Sequence, residues 1–246
     1  HATIKWEHSI ILEFQIQLFN KFINDILICF SLLTRIPVGR LDTKNNKISK
    51  SCWAFSVCGF VVCIIALIVF HLSLEIGLSQ HIAAILFIII NLFLTGAIHE
   101  DGLADLADGF FVKNNVNDKL KIMNDSRIGV FGTLALILFL SLKIFSLSSL
   151  SPDLNTYLHL IFISMLSRYF MLIFLRFLKP IKKSGLGKNF SIEKNSILLI
   201  GLLPMLPLIF FLNFNSIILF FSMFISCLIF LRIIGLKFKG QNGDIC

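Results

Sequence analysis

Residues 86–111 read LFIIINLFLTGAIHEDGLADLADGFF, and the switch in the middle of this stretch decides the fold. Up to Ile98 it is almost wholly apolar; Glu100, Asp101, Asp105 and Asp108 then fall within nine residues. The chain around it is equally apolar: 57% hydrophobic, 15% charged, mean hydropathy +0.88. A soluble domain has a more even balance, and several runs approach the roughly 18 apolar residues that cross a bilayer. The expected fold is all-α: a polytopic integral membrane protein with about six transmembrane helices. The spans fall near 52–72, 81–98, 130–149, 157–176, 196–212 and 215–232. Segment 23–34 is too short to span and reads as a re-entrant or interfacial helix.

Charge supports that order. The net charge of +8 is carried by loops, not by one soluble face, which argues against nucleic acid as a partner. Loops 35–51, 99–129 and 176–195 and the tail hold Lys and Arg, whereas 73–80, 148–156 and the turn near 213–215 hold none. By the positive-inside rule the basic loops, both chain ends and the acidic motif share the cytoplasmic face. Residues 1–22 read as a cytoplasmic extension and 23–246 as one membrane domain. The cysteines have no metal-ligand spacing and read as small hydrophobes. The apolar stretch before Arg35-Ile36-Pro37 lacks a small-residue cleavage site, so no signal peptide is expected.

On a helix, Asp101, Asp105 and Asp108 fall within about 60° of one another, with Leu103, Leu106 and Phe110 opposite and Glu100 to one side. Carboxylates so close resist ionising together, and a divalent cation removes the conflict. Mg²⁺ takes oxygen ligands and commonly combines one or two carboxylates with substrate phosphates. The candidate metal ligands are Asp101, Asp105, Asp108, Glu100 and Asp125. Two other readings stand beside this one: a solvated acidic face and an ion pathway. Transport sites usually lie near the bilayer midplane, so a motif at the cytoplasmic edge favours surface chemistry.

Other segments offer partners. MNDSRIGVFG, 123–132, contains Asp125, Arg127 and Gly129. Arg127, Arg35 in LLTRIPV and Arg168 in SMLSRYF are candidate phosphate contacts through the planar guanidinium. Lys188 closes the SGLG loop, and Asp244 lies in the tail GQNGD. His99, beside the acids, offers a hydrogen bond or a proton relay.

Taken together, LLTRIPV, HEDGLADLADGFF, MNDSRIGVFG, SGLG and GQNGD resemble the adenosylcobinamide-GDP ribazoletransferase (cobalamin synthase) family, in that family's order from about residue 25. The resemblance implies transfer of the adenosylcobinamide-phosphate group from adenosylcobinamide-GDP to α-ribazole or its 5′-phosphate. GMP is released, Mg²⁺ is required, and the enzyme sits in the bacterial inner membrane. It implies acid roles for Asp101, Asp105, Asp108 and Asp125, with His99 or a carboxylate accepting the hydroxyl proton. Arg35, Arg127, Arg168, Gly129, Lys188 and Asp244 become the candidate substrate contacts. The implied partners are the two substrates and the bilayer, with self-association or association with other corrin-pathway enzymes also consistent. Family members continue into a further membrane helix beyond the position of Cys246, and often carry a small polar residue at Leu106 and Lys at Asn124. The acidic pattern also partly resembles CDP-alcohol phosphotransferases, without their full signature. An ion-coupled transporter is the alternative of a different class.

Overall fold

The protein is seen in a computed structural model that describes residues 2–39, 41, 48–112, 115–179, 192, 194–209, 211 and 214–240; for 2–12, 209, 214 and 215 it describes the backbone only. The described residues contain helices and no strand. Five helical stretches are long and apolar enough to cross a membrane: 13–33, 48–75, 130–149, 154–177 and 216–238. A bent pair makes a sixth. The fold is the expected all-α, multi-pass membrane architecture.

Three elements differ from the sequence expectation. The N-terminal one is longer. Helix α1 runs unbroken over Ala2–Leu33, free of Pro and Gly, and its Glu13–Leu33 part has the length of a span. Lys21 and Asp25 lie within that part, and the fold buries Asp25. The Asp25 carboxylate accepts from Ser51 Oγ at 2.6 Å and from Trp53 Nε1 at 3.1 Å. Those bonds tie α1 to α2 (Ile48–Ser51) and the 3₁₀ turn Cys52–Ala54, which leads into α3 (Phe55–Glu75).

The second difference is the bend. Helix α4 spans Gln80–Thr95 and stops at Gly96, φ +66°, followed by Ala97 at φ +57°. Two consecutive left-handed residues end the helix, and α5 (Ile98–Phe110) leaves at 89°. The third difference is the expected span 196–212. It is a short broken helix: α9 (Ser196–Leu202), a 3₁₀ turn Leu203–Met205 and α10 (Leu206–Ile209). Pro204 and Pro207 each remove a backbone donor.

The remaining elements are α6 (Val116–Met123), α7 (Val130–Ser149), α8 (Leu154–Phe177) and α11 (Phe214–Phe238). At the centre α3 crosses α8 so closely that a Cβ on Gly59 would fall 2.6 Å from Ser164 O. Ser164 Oγ returns a hydrogen bond to Gly59 O at 3.0 Å. Around this crossing a core gathers Phe30 of α1, Val62 of α3, Leu106 of α5, Met123 of α6, Leu166 of α8 and Ile234 of α11. A second cluster joins the far end of α3 to α4 and Leu147 of α7.

The α4–α5 bend has a geometric partner in α7. Gln80, at the start of α4, donates to the carbonyl of Leu150 just past α7, and Asp108, near the end of α5, bonds the start of α7. At 1.5 Å per residue, legs of about 24 and 20 Å at a right angle subtend about 31 Å. The 20 residues of α7 measure about 30 Å. Helix α7 thus closes the angle that α4 and α5 open.

Candidate active site

Helix α5 carries the acidic stripe, and small residues decide how it sits. Gly102, Ala104, Leu106 and Gly109 are its buried positions, while Leu103 and Phe110 are only half-buried. A Cβ on Gly109 would lie 2.6 Å from Met123 Cγ and 3.3 Å from Lys119 O, so α6 presses against one flank. A Cβ on Gly132 would lie 2.9 Å from Ala104 O, so α7 presses against the other. The stripe was expected to face away from the packing side. It lies instead between these two flanks, with Asp101 exposed and Asp105 and Asp108 half-buried. The reason is that glycine and alanine permit closer backbone approach than Leu or Phe.

Asp108 is fixed. Its carboxylate accepts from Gly129 N at 2.7 Å and from Gly132 N at 2.8 Å. It thereby satisfies open N–H groups at the start of α7 and sits at the positive end of that helix. Gly129 and Gly132 are needed there because a Cβ on either would fall 2.5 Å from an Asp108 oxygen. Near the other end, the Arg35 amide donates to Leu94 O at 2.7 Å and the Arg35 side chain lies directly over Gly96. So the structure brings Arg35 to the corner where the acidic helix begins.

Asp125 and Arg127 face each other. Arg127 Nε and Nη2 donate to the Asp125 carboxylate at 3.1 and 2.8 Å, and the Arg127 amide adds a third bond at 3.1 Å. These hydrogen bonds hold the Asp125 carboxyl down at about 2. The pair is well exposed on the loop before α7. Asn124 donates to Leu120 O and closes α6. Lys188 and Asp244 lie outside the described residues.

Glu100 and His99 turn the other way. Glu100 Oε1 lies 3.7 Å from Lys143 Nζ of α7. Among the described residues His99 Nε2 and Glu100 Oε2 are buried without a hydrogen-bond partner. Arg168 of α8 is in electrostatic reach of both and donates to Ser167 Oγ at 2.9 Å. The candidates therefore divide into a stripe of Asp101, Asp105 and Asp108 with Arg35 at its head, an inner group of His99, Glu100 and Arg168, and the outlying Asp125–Arg127 pair.

Sequence reasoning missed Lys143, Asp25 and Lys237. Lys143 is the only charged residue of α7, and a lone charge in an apolar span is the signal that marks it. Asp25 shares α1 with Lys21 and Glu13, so its signal is weaker. Lys237, in the last turn of α11, donates to Phe110 O at 3.1 Å and lies over the Phe110 ring at 3.6 Å. It satisfies a carbonyl at the end of α5, a contact with no trace in local sequence.

Among the described residues no three His, Cys, Asp or Glu side chains form a ready-made metal cage. What α5 offers is a pair of carboxylates one turn apart, Asp101 and Asp105, on one face. A hard cation that keeps waters and takes phosphate oxygens fits such a partial donor set.

A family model described as cobalamin-5-phosphate synthase matches residues 25–246. The chain belongs to that family. It is similar to the adenosylcobinamide-GDP ribazoletransferase of Clostridium kluyveri, 32% identical over 232 residues, which are 92% of this chain and 90% of that protein. The protein of the same name from Clostridium tetani is 30% identical over 91% of this chain and 90% of its own length. That of Mesorhizobium japonicum is 35% identical over 68% of this chain and 64% of its own. No solved structure matches. Membership of the cobalamin-5-phosphate synthase family makes the chain a transferase of cobalamin synthesis.

Proposed function

We propose that the α5 groove transfers the adenosylcobinamide-phosphate group from adenosylcobinamide-GDP to α-ribazole or its 5′-phosphate. The acceptor's ribose hydroxyl attacks the phosphorus that stays with cobinamide. The pyrophosphate P–O bond breaks, GMP leaves, and the hydroxyl proton passes to a nearby carboxylate or to His99. The carrying observation is the Asp101–Asp105 face, held between α6 and α7 by the Asp108 clamp. Its support is the family match over 25–246 and the shared name of the relatives.

Asp101 and Asp105 would hold Mg²⁺, which neutralises pyrophosphate charge and polarises the phosphoryl group when bound. Phosphoryl transfer asks mainly for position and charge stabilisation. Asp108 sets the helix pair that forms the groove. Arg35, over the α4–α5 corner, is placed to meet a phosphate at the head of the stripe. The groove opens on the cytoplasmic face of the bacterial inner membrane, the side the basic loops assign.

Membranes given adenosylcobinamide-GDP, α-ribazole and Mg²⁺ should release GMP and form cobalamin, and Asp105→Ala or a chelator should abolish it. Wild-type turnover that survives Asp105→Ala would sink the metal assignment. Turnover of a CDP-alcohol instead, or ion flux without GMP release, would replace the reaction itself.

A further inference from the structure

The acidic helix must hold Asp101 and Asp105 steady, yet its N-terminus is weakly mounted. Its N-cap, Ala97, provides no side-chain bond, and it follows two left-handed residues. The C-terminal half is secured to α7 by Asp108 and to α11 by Lys237. At the first turn, the charged contact with α7 is Glu100 Oε1 to Lys143 Nζ at 3.7 Å.

We infer that Lys143 is a positioning residue: through Glu100 it fixes the first turn of α5 to α7 and so sets how Asp101 and Asp105 are presented. Three observations carry this. Lys143 lies 13 residues into a 20-residue apolar helix, where a Lys costs about 3 kcal/mol to insert. It reaches across the α4–α5–α7 angle to Glu100 Oε1 at 3.7 Å, with the Phe139 ring 4.9 Å below its ammonium. Glu100 is the immediate neighbour of Asp101, and its side chain is 12% exposed, so it has turned from the outer groove to the interior. Helix α5 is thus pinned to α7 at Glu100 and at Asp108, eight residues and about 12 Å apart. Asp101 and Asp105 lie between the pins. The two charges also neutralise each other; removing Lys143 leaves the buried Glu100 carboxylate without its ion-pair partner. Arg168 is also in electrostatic reach of Glu100 and adds positive charge there.

The activity arm of the test rests on the proposed reaction; the distance arm does not. In full-length protein in proteoliposomes, K143M should lower kcat about 10- to 100-fold and raise the half-saturating Mg²⁺ concentration, while KM for adenosylcobinamide-GDP stays within about twofold. K143R should restore most of the loss. E100Q/K143M should fall no further than K143M, because the two act as one contact. Spin labels at Leu103→Cys and Leu138→Cys should give a broader α5–α7 distance distribution in K143M and a narrow one in wild type and K143R. An unchanged distribution in K143M overturns the inference, as does K143M activity with wild-type kcat and Mg²⁺ dependence. A wild-type protein with no GMP release would overturn the reaction, and the distance measurement would still judge Lys143.

Discussion

Asp108 and its two glycines show one residue setting the shape of a groove. A carboxylate that receives two amides within 2.8 Å is a structural clamp whatever else it binds. Asp108→Asn keeps the shape but turns one acceptor into a donor facing an N–H. It should lower stability by about 1–3 kcal/mol, read as a fall in the thermal midpoint in detergent. Were Asp108 only a metal ligand, the midpoint without metal would not move. Gly132→Ala meets an Asp108 oxygen at 2.5 Å and Ala104 O at 2.9 Å. Overpacking of this kind costs about 1–3 kcal/mol, and transfer activity should fall with it. Gly235→Ala is the contrast: its Cβ meets only Leu178 Cδ2 at 3.6 Å, ordinary contact. In the interior of α11 it should leave stability equal or raise it by about 0.5–1 kcal/mol.

At the scale of elements, the site depends on a broken span. A straight helix over 81–98 would carry the acids along the axis of α4; the turn at Gly96 lays them against α6 and α7 instead. Gly96→Ala asks a side chain to adopt φ +66° with Arg35 directly against it. The expected result is loss of transfer activity with the α3–α8 core still folded, checked by helical circular dichroism beside the GMP assay. The end of α5 depends on α11 through Lys237, and Lys119 of α6 completes that junction, its Nζ over the Phe238 ring at 5.5 Å. Removing a charged hydrogen bond costs about 1.5–3 kcal/mol. Lys237→Met should therefore speed hydrogen exchange in the last turn of α5 and leave α3 protected.

For the whole molecule, α7 and α11 present long apolar faces, among them Leu138, Leu142, Phe145, Phe221 and Leu236. A bilayer accounts for faces that in water would be costly. The positive-inside rule, applied to the basic loops 99–129 and 176–195, proposes which side is which. Thiols introduced at Ser151 and at Lys194 should label differently with an impermeant reagent, Ser151→Cys in intact cells and Lys194→Cys only after permeabilisation. The reverse pattern would invert the assigned orientation and move the α5 groove to the outer face. The described native cysteines are all buried, so Cys246→Ser gives a low background.

Hydropathy alone determined that the chain is a helical membrane protein, because desolvated backbone leaves few alternatives. Helical periodicity placed Asp101, Asp105 and Asp108 on one stripe, and the order of motifs pointed to the family. These are local properties, written in neighbouring residues. Tertiary structure decided the rest. It closed Pro204 and Pro207 into a short broken helix, extended α1 through Lys21 and Asp25, and turned Glu100 away from the stripe toward Lys143. It also set the stripe between α6 and α7 and paired Asp125 with Arg127. Each of these depends on which distant backbone comes near enough to touch. Only the packed chain brings Gly132 against Ala104, or Lys237 against Phe110.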